Sequence, residues 1–274
     1  MEKKKKKETF YIDADFETFI QSFIDNKIDC IIKYTDSTLL VETELNKYCV
    51  AETKNSFSFF AILRKLKKQI EKNVEVIENY NPKPVYFKYA DEIVNEKQIA
   101  NIDLNSAYLQ TLFNLKWIDE SLFIQINALD KVDRLKIVGM LASEKICYKL
   151  EKGVMKFQEI ISNDLGRYVF FYVSEVVGKC LIDCKNEIES DFLFFWVDGI
   201  YFKDTKENRE KICNVMDMYN YRYKIEICSD LIITENKLMT FINEKGQQKK
   251  YTLPRSINGK KKISKLIKKQ WQKI

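Results

Sequence analysis

Two aspartates stand where this chain could do chemistry. Asp103 closes the alternating run Ile99-Ala-Asn101-Ile-Asp103-Leu104, which reads as a strand, and an apolar helical stretch starts just after it. Alternation puts Asn101 and Asp103 on one strand face and Ile102 and Leu104 on the other. A carboxylate at the C-terminal end of a strand, beside the free N–H groups of a helix, suits a divalent cation and a triphosphate together. Asp198 follows the apolar run Phe192–Val197 and precedes Gly199, an Asp-Gly pair of the hairpin-turn type. Each aspartate alone has a plain structural reading. Asp103 fits an ordinary strand-to-helix corner with a capping aspartate, Asn105 and Ser106 also suiting the cap, and Asp198 an ordinary turn. Placed together at the ends of neighbouring core strands, two carboxylates can bridge divalent ions about 3.5–4 Å apart. Such a pair activates a 3′-hydroxyl and stabilises a leaving pyrophosphate, while the protein supplies position and charge.

The elements that must position these residues follow from periodicity. Phe16, Phe19, Ile20, Phe23 and Ile24 mark a helix over 13–25, and Phe60, Leu63, Leu66 and Ile70 a basic helix over 58–73. Short strands are expected near 28–34 and 39–42. Asn79-Tyr-Asn-Pro-Lys-Pro84 is the clearest break, and a domain boundary is expected there or near residue 95. Beyond it the expected order is a strand at 99–104, a helix at 106–117, a mostly helical insertion at 118–163 and a long helix at 165–187. A hairpin around Asp198-Gly199, a helix at 206–221, a strand at 223–234 and a second hairpin around Gly246 complete it. The expected fold is α+β: a small N-terminal α/β domain (1–95), an antiparallel sheet of four to five strands with packed helices (96–254), and a basic amphipathic tail (255–274).

Residue types exclude several function classes. Histidine is absent and the seven cysteines form no CxxC pair, so neither a Cys/His zinc site nor a His-based triad is available. Reduced thiols in a cytoplasmic compartment are the plain reading. No apolar run approaches the roughly 20 residues of a membrane span. Net charge is +6, but residues 236–274 alone hold twelve Lys or Arg against one Glu, and Lys3–Lys7 forms a second basic run. A basic end beside an acidic body suits a polyanion, or else merely solubilises the chain.

Asp103-Leu-Asn-Ser106-Ala-Tyr108 resembles motif A (D-x-x-S-L-Y-P) of family B DNA polymerases, most closely the protein-primed branch, and Val197-Asp198-Gly-Ile resembles motif C (D-T-D-S-I). Arg134-Leu-Lys136 to Ser143 sits where motif B should be, Gly166–Cys184 resembles the helix between motifs B and C, and Lys249-Lys250-Tyr251 resembles the K-x-Y element. The resemblance spans about residues 97–255, in family order. It implies a polymerase palm with short helical fingers at 118–163, and Asp103 and Asp198 as catalytic ligands of Mg²⁺ or Mn²⁺. It implies further that Leu104, Asn105, Ser106 and Ala107 cradle the triphosphate, that Tyr108 excludes a ribose 2′-hydroxyl, and that Lys136 meets the incoming phosphates. Lys249, Lys250 and Tyr251 would hold the primer, and Arg255, Lys260, Lys261 and Lys262 of the tail would follow the phosphate backbone.

The implied partners are a DNA primer-template, deoxynucleoside triphosphates and other replication proteins. The implied setting is the cytoplasm of a bacterium or of a phage-infected host. Leu109 replaces the motif A proline, Met140 the motif B asparagine, and Trp196 the first motif C aspartate. These departures leave two rivals: a degenerate palm that binds nucleic acid or assembles a replication complex without turnover, and a two-metal nuclease. Asp13-Ala-Asp15-Phe-Glu17-Thr is similar to the D-F-E-T exonuclease signature of the same family, but its helical spacing and the absence of later exonuclease motifs favour a helix start.

Overall fold

The computed structural model of the chain describes residues 7–35, 38–51, 57–89, 95–233, 238–243 and 246–252. The first part runs β1 (Glu8–Ile12), α1 (Phe16–Asp25), β2 (Cys30–Tyr34), β3 (Thr38–Glu42), β4 (Asn46–Ala51) and α2 (Phe57–Asn73). Next come β5 (Phe87–Tyr89), β6 (Asn95–Leu104), α3 (Ala107–Asn114), α4 (Glu120–Asn127), α5 (Lys131–Gly139), β7 (Lys145–Glu151) and β8 (Val154–Ile161). The rest is α6 (Asp164–Ile188), β9 (Phe192–Trp196), β10 (Gly199–Lys203), α7 (Lys206–Met218), β11 (Tyr223–Ile233), β12 (Leu238–Asn243) and β13 (Gln248–Thr252). The fold is α+β, with two sheets. Among the described residues, no helix is long and apolar enough to cross a membrane.

Two compact units divide the chain, and the division differs from the expected boundary near residue 95. Among the described residues, one unit holds those up to Phe57 together with Ser143–Asn163; the other holds Ser58–Ala142 and those from Asp164 on. In the first unit the six strands run β1-β4-β3-β2-β7-β8, with β1 parallel to β4 and the other pairs antiparallel. Asp15 starts α1 by accepting from the amides of Glu17 and Thr18 at 2.9 and 3.1 Å. The acidic segment 13–17 is therefore a helix start. Phe16, Ile20 and Phe23 then bury against Ile32, Leu39 and Val50.

The 118–163 insertion is not mostly helical. Its first half forms α4 and α5, but its second half is the β7–β8 hairpin, and β7 pairs with β2, Cys30 opposite Leu150. Leu150 is fully buried in the first unit's core, with Tyr148 packed against it. Lys152 and Gly153 both take positive φ, 50° and 81°, which is the two-residue turn that matches strand twist.

The second unit is built on a seven-stranded antiparallel sheet, β13-β12-β11-β6-β10-β9-β5, wider than expected. Ala100, Ile102 and Leu104 of β6 and Ile200 and Phe202 of β10 face Val177, Leu181 and Cys184 of α6 and Ile212 and Met216 of α7. A second cluster joins α2 through α5 to the first half of α6, with Leu63, Leu66, Leu112, Ile126, Ile137 and Val173 inside. Burying a Leu, Ile or Phe contributes about 1.5–3 kcal/mol, so these clusters hold β6 and the β9–β10 hairpin rigidly. All seven cysteines are free thiols.

Candidate active site

The sheet brings Asp103 and Asp198 together. Asp103 is the penultimate residue of β6 and pairs directly with Gly199 of β10. The amide of Leu104 donates to the Asp198 carbonyl at 2.9 Å, so the two acidic positions lie one ladder step apart. On the other side of β6, Lys224 of β11 stands opposite Asp103 and Glu226 opposite Asn101.

Asp198 is presented by a strained turn. Trp196 pairs with Gly199, so the loop is Val197-Asp198 rather than the expected Asp198-Gly199. Val197 has φ 58°, which a β-branched residue rarely adopts, and the Asp198 amide closes a three-residue turn onto the Trp196 carbonyl at 2.8 Å. The Val197 amide donates to the Tyr86 carbonyl at 2.6 Å. Backbone bonds on both sides thus fix the carboxylate at the hairpin tip.

The strand-to-helix corner is fixed in the same way. The Asn105 amide donates to the Arg222 carbonyl at 2.7 Å, which ties the corner to the start of β11. Ser106 occupies the expected cap position but in the left-handed region, φ 52° and ψ 47°, with no side-chain capping bond. The first amides of α3 therefore lack a side-chain cap.

A cavity of about 410 Å³ opens over these residues. Asp103, Asp198 and the expected nucleotide-binding residues Leu104, Asn105, Ser106, Ala107 and Tyr108 all line it. Lys136 does not. Its ammonium lies 3.8 Å from the Asp133 carboxylate. Helical phase brings Lys131, Arg134, Leu135 and Val138 of α5 to the cavity instead, at the i, i+3, i+4, i+7 spacing of one face. The Arg134 guanidinium is anchored by donating to the Asn127 carbonyl at 2.9 Å and its amide oxygen at 3.2 Å. Arg222 also lines the cavity. Sequence reasoning missed these three cations. The α5 pair was legible as an amphipathic spacing, whereas nothing in the sequence singles out Arg222.

No protein-family model matches the chain, and no curated protein matches it.

Lys250 lies on β13, opposite Thr240 of β12 and exposed. With β12 and β11 between β13 and β6, this edge is about 14 Å from Asp103 at the usual strand spacing. Lys249 and Tyr251 are on the same strand, and Lys250 does not line the cavity. Arg255, Lys260, Lys261 and Lys262 lie outside the described residues.

Electrostatics make the aspartates a coupled pair. Burial first, then the neighbouring Asp103 charge, push the Asp198 carboxyl up from its ordinary value to about 7, against the pull of Lys131. Burial also raises Asp103, while Lys131 and Lys224 pull it down. Two carboxylates that resist joint ionisation suit a site completed by a cation.

The residues present fit a small divalent cation. Among the described residues, no group of three or more His, Cys, Asp or Glu is placed to hold a metal. Mg²⁺, however, commonly takes one or two protein carboxylates and completes its shell with water and substrate phosphate. A further oxygen is at hand. Asn101 is buried, and its Oδ1 has no hydrogen-bond partner. A Cβ on Gly199 would meet both that oxygen, at 3.4 Å, and an Asp103 carboxylate oxygen, at 3.2 Å. A buried acceptor without a partner costs about 1–3 kcal/mol, so its retention beside Asp103 is consistent with a cation nearby.

Proposed function

We propose that the chain is a nucleotidyltransferase that extends a DNA 3′ end from deoxynucleoside triphosphates on a primer-template. The observation that carries this reading is the placement of Asp103 and Asp198 one ladder step apart, in a cavity that Lys131 and Arg134 also line. In this reading Asp103 and Asp198 hold Mg²⁺ or Mn²⁺, with the Asn101 oxygen close by. Bound there, the ions would polarise the phosphoryl group and acidify the attacking 3′-hydroxyl. Lys131, Arg134 and Arg222 offset the negative charge of the triphosphate, and the uncapped start of α3 offers it backbone amides. The Tyr108 ring stands at the cavity wall where a sugar would lie, and would exclude a 2′-hydroxyl. Lys250 on the outer strand and the basic tail would track the phosphate backbone, with other replication proteins as further partners and the cytoplasm of a bacterium or phage-infected host as the setting.

Among the described residues that line the cavity, only Asp103 and Asp198 are acidic, which favours one alternative, a degenerate palm that binds nucleic acid or nucleotide without turnover. Labelled primer-template with the four triphosphates and Mg²⁺ or Mn²⁺ separates the two. Lengthening of the primer, reduced at least about 100-fold in Asp103→Asn and Asp198→Asn, supports transfer. Nucleotide binding without lengthening supports the binding module. Metal-dependent shortening of the primer would instead mean a nuclease.

A further inference from the structure

Strand β8 closes one end of the six-stranded sheet, so among the described residues its outer edge has no strand beside it. Four of its eight residues, Val154, Phe157, Ile160 and Ile161, are large, apolar and 41–58% exposed. Such an edge is a template for another strand unless something guards it. The usual guards are a lysine and a bulge, and β8 carries both. Lys156 is exposed, and Gln158 is an extra residue, because Phe157 pairs with Tyr148 while Glu159 pairs with the adjacent Cys147.

The bulge changes which side chains share a face. Residues directly opposite each other in an antiparallel pair point the same way. Met155 and Phe157 stand opposite Leu150 and Tyr148, on the face packed against α1, and Ile160 opposite Ile146 follows them. Lys156 and Glu159 stand opposite Lys149 and Cys147, on the other face, with Val154 and Ile161. On a regular strand two residues three apart would point to opposite faces. The extra residue lies at the middle of β8 and makes the strand self-complementary. With a second copy turned antiparallel about the midpoint between Phe157 and Gln158, Lys156 stands opposite Glu159 of the second copy, and Glu159 opposite its Lys156. Met155 then meets Ile160, and Val154 meets Ile161, each pair on one face. A lysine alone would guard the edge; with a glutamate at the matching position it selects a register instead. The Lys156 ammonium now lies 2.9 Å from Glu151, which also pairs with Lys149, so Glu151 keeps a partner when Lys156 turns outward. Exposed pairs of this kind cost little to exchange.

We propose that β8 pairs with β8 of a second copy of this chain, antiparallel about the midpoint between Phe157 and Gln158, so that two six-stranded sheets become one. The inference stands apart from the nucleotidyl-transfer reading and uses the first unit alone. A strand of this length spans about 26 Å and its edge is about 10 Å deep, which gives roughly 300 Å² of contact per partner. A stable interface takes about 800 Å² per partner, so this dimer is weak, with a Kd on the order of 10–100 μM.

Sedimentation equilibrium of the full chain, at concentrations up to about 500 μM, tests this on wild type, Lys156→Glu, Glu159→Lys and the double exchange. Wild type is expected to dimerise reversibly. Each single exchange sets like charges opposite each other at both contacts and should weaken the dimer about tenfold or more. The double exchange restores opposite charges and should return Kd to within about threefold of wild type. An equimolar mixture of the two single variants should form mixed dimers more readily than either variant dimerises alone. Both positions are exposed, so Tm should stay near wild type. Should a charge variant not fold, Ile161→Lys, opposite Val154 of the second copy, should cause the same loss. A wild type that stays monomeric throughout overturns the proposal. So does a dimer indifferent to these substitutions, which would place the contact elsewhere, or a folded double exchange that dimerises no better than the single ones.

Discussion

Gly199 lies directly across the ladder from Asp103, and a methyl group on it would reach to 3.2 Å from an Asp103 carboxylate oxygen. That is tighter than ordinary contact, so the neighbour would have to give way by a few tenths of an ångström. The backbone of Gly199 is not in the left-handed region, so alanine adds no strain of its own there. Gly199→Ala is therefore expected to fold with a Tm close to wild type, while displacing Asp103 and lowering primer extension about tenfold or more, as small misplacements at reacting centres do. Thermal melts and single-nucleotide incorporation on the same preparation check both halves.

The Asp198 carboxyl gives a signed pH dependence. Its pKa in the folded chain, about 7, lies above its ordinary value of 3.8, so the folded state binds more protons than the unfolded state between those limits. The stability this group contributes is fully present at about pH 4 and below, and is lost as pH rises through about 7. Asp103 is shifted the same way and adds to the effect. The Tm of the metal-free protein should fall across this window, the fall should flatten in Asp198→Asn, and millimolar Mg²⁺ should restore Tm most strongly at the alkaline end. Melts between pH 4 and pH 8, with and without Mg²⁺, measure this.

Lys131 faces the cavity and pulls both carboxyls down, whereas Lys136 turns toward Asp133. Lys131→Ala should raise the KM for deoxynucleoside triphosphate about tenfold, as expected for one lost charge-assisted contact. It should also move the acid limb of the pH–rate profile upward, since Asp198 loses its opposing charge. Lys136→Ala should do less of both. Equal effects of the two substitutions would return the phosphate role to Lys136.

Val197 holds a conformation that costs about 1–3 kcal/mol in a residue of its type. Val197→Gly relieves that strain while adding about 1 kcal/mol of chain entropy to the unfolded state. The net stability change is expected to stay within about 1 kcal/mol. Incorporation should nevertheless drop, because the hairpin tip is free to move and Asp198 with it. Denaturant unfolding alongside kinetics separates the two effects.

Much of this site was legible before any coordinates. The alternation in Ile99–Leu104, the apolar run before Asp198 and the long helical period from residue 165 each reflect burial on a defined face, so strand, hairpin and helix were found in order. Three features escaped. The hairpin loop moved one residue toward the N-terminus, because the Leu104 amide takes the Asp198 carbonyl, a long-range bond that local turn preference does not encode. Motif spacing points to Lys136, but only the phase of α5 decides which cation faces the cavity, and it is Lys131. Tyr86 sits just after the Asn79–Pro84 break with no periodicity, and the bond of its carbonyl to Val197 in the Asp198 turn, like the packing of Val85 on Gly178, is a long-range contact that no local pattern announces. The β7–β8 hairpin is a different case: its alternation and Lys152-Gly153 turn were in plain view, but the helical reading of the insertion took precedence.

The pairing of β7 with β2 has a practical corollary for dissecting this molecule. Simple amputation before residue 58 would strand a hairpin bearing Phe157 and Ile160 with one whole row of amides and carbonyls bared, a ready template for fibrous self-association. A clean excision of the half that carries Asp103 and Asp198 must also splice out 143–163 and rejoin α5 to α6, whereas an isolate of the other half requires both fragments, supplied in trans or fused by a designed linker.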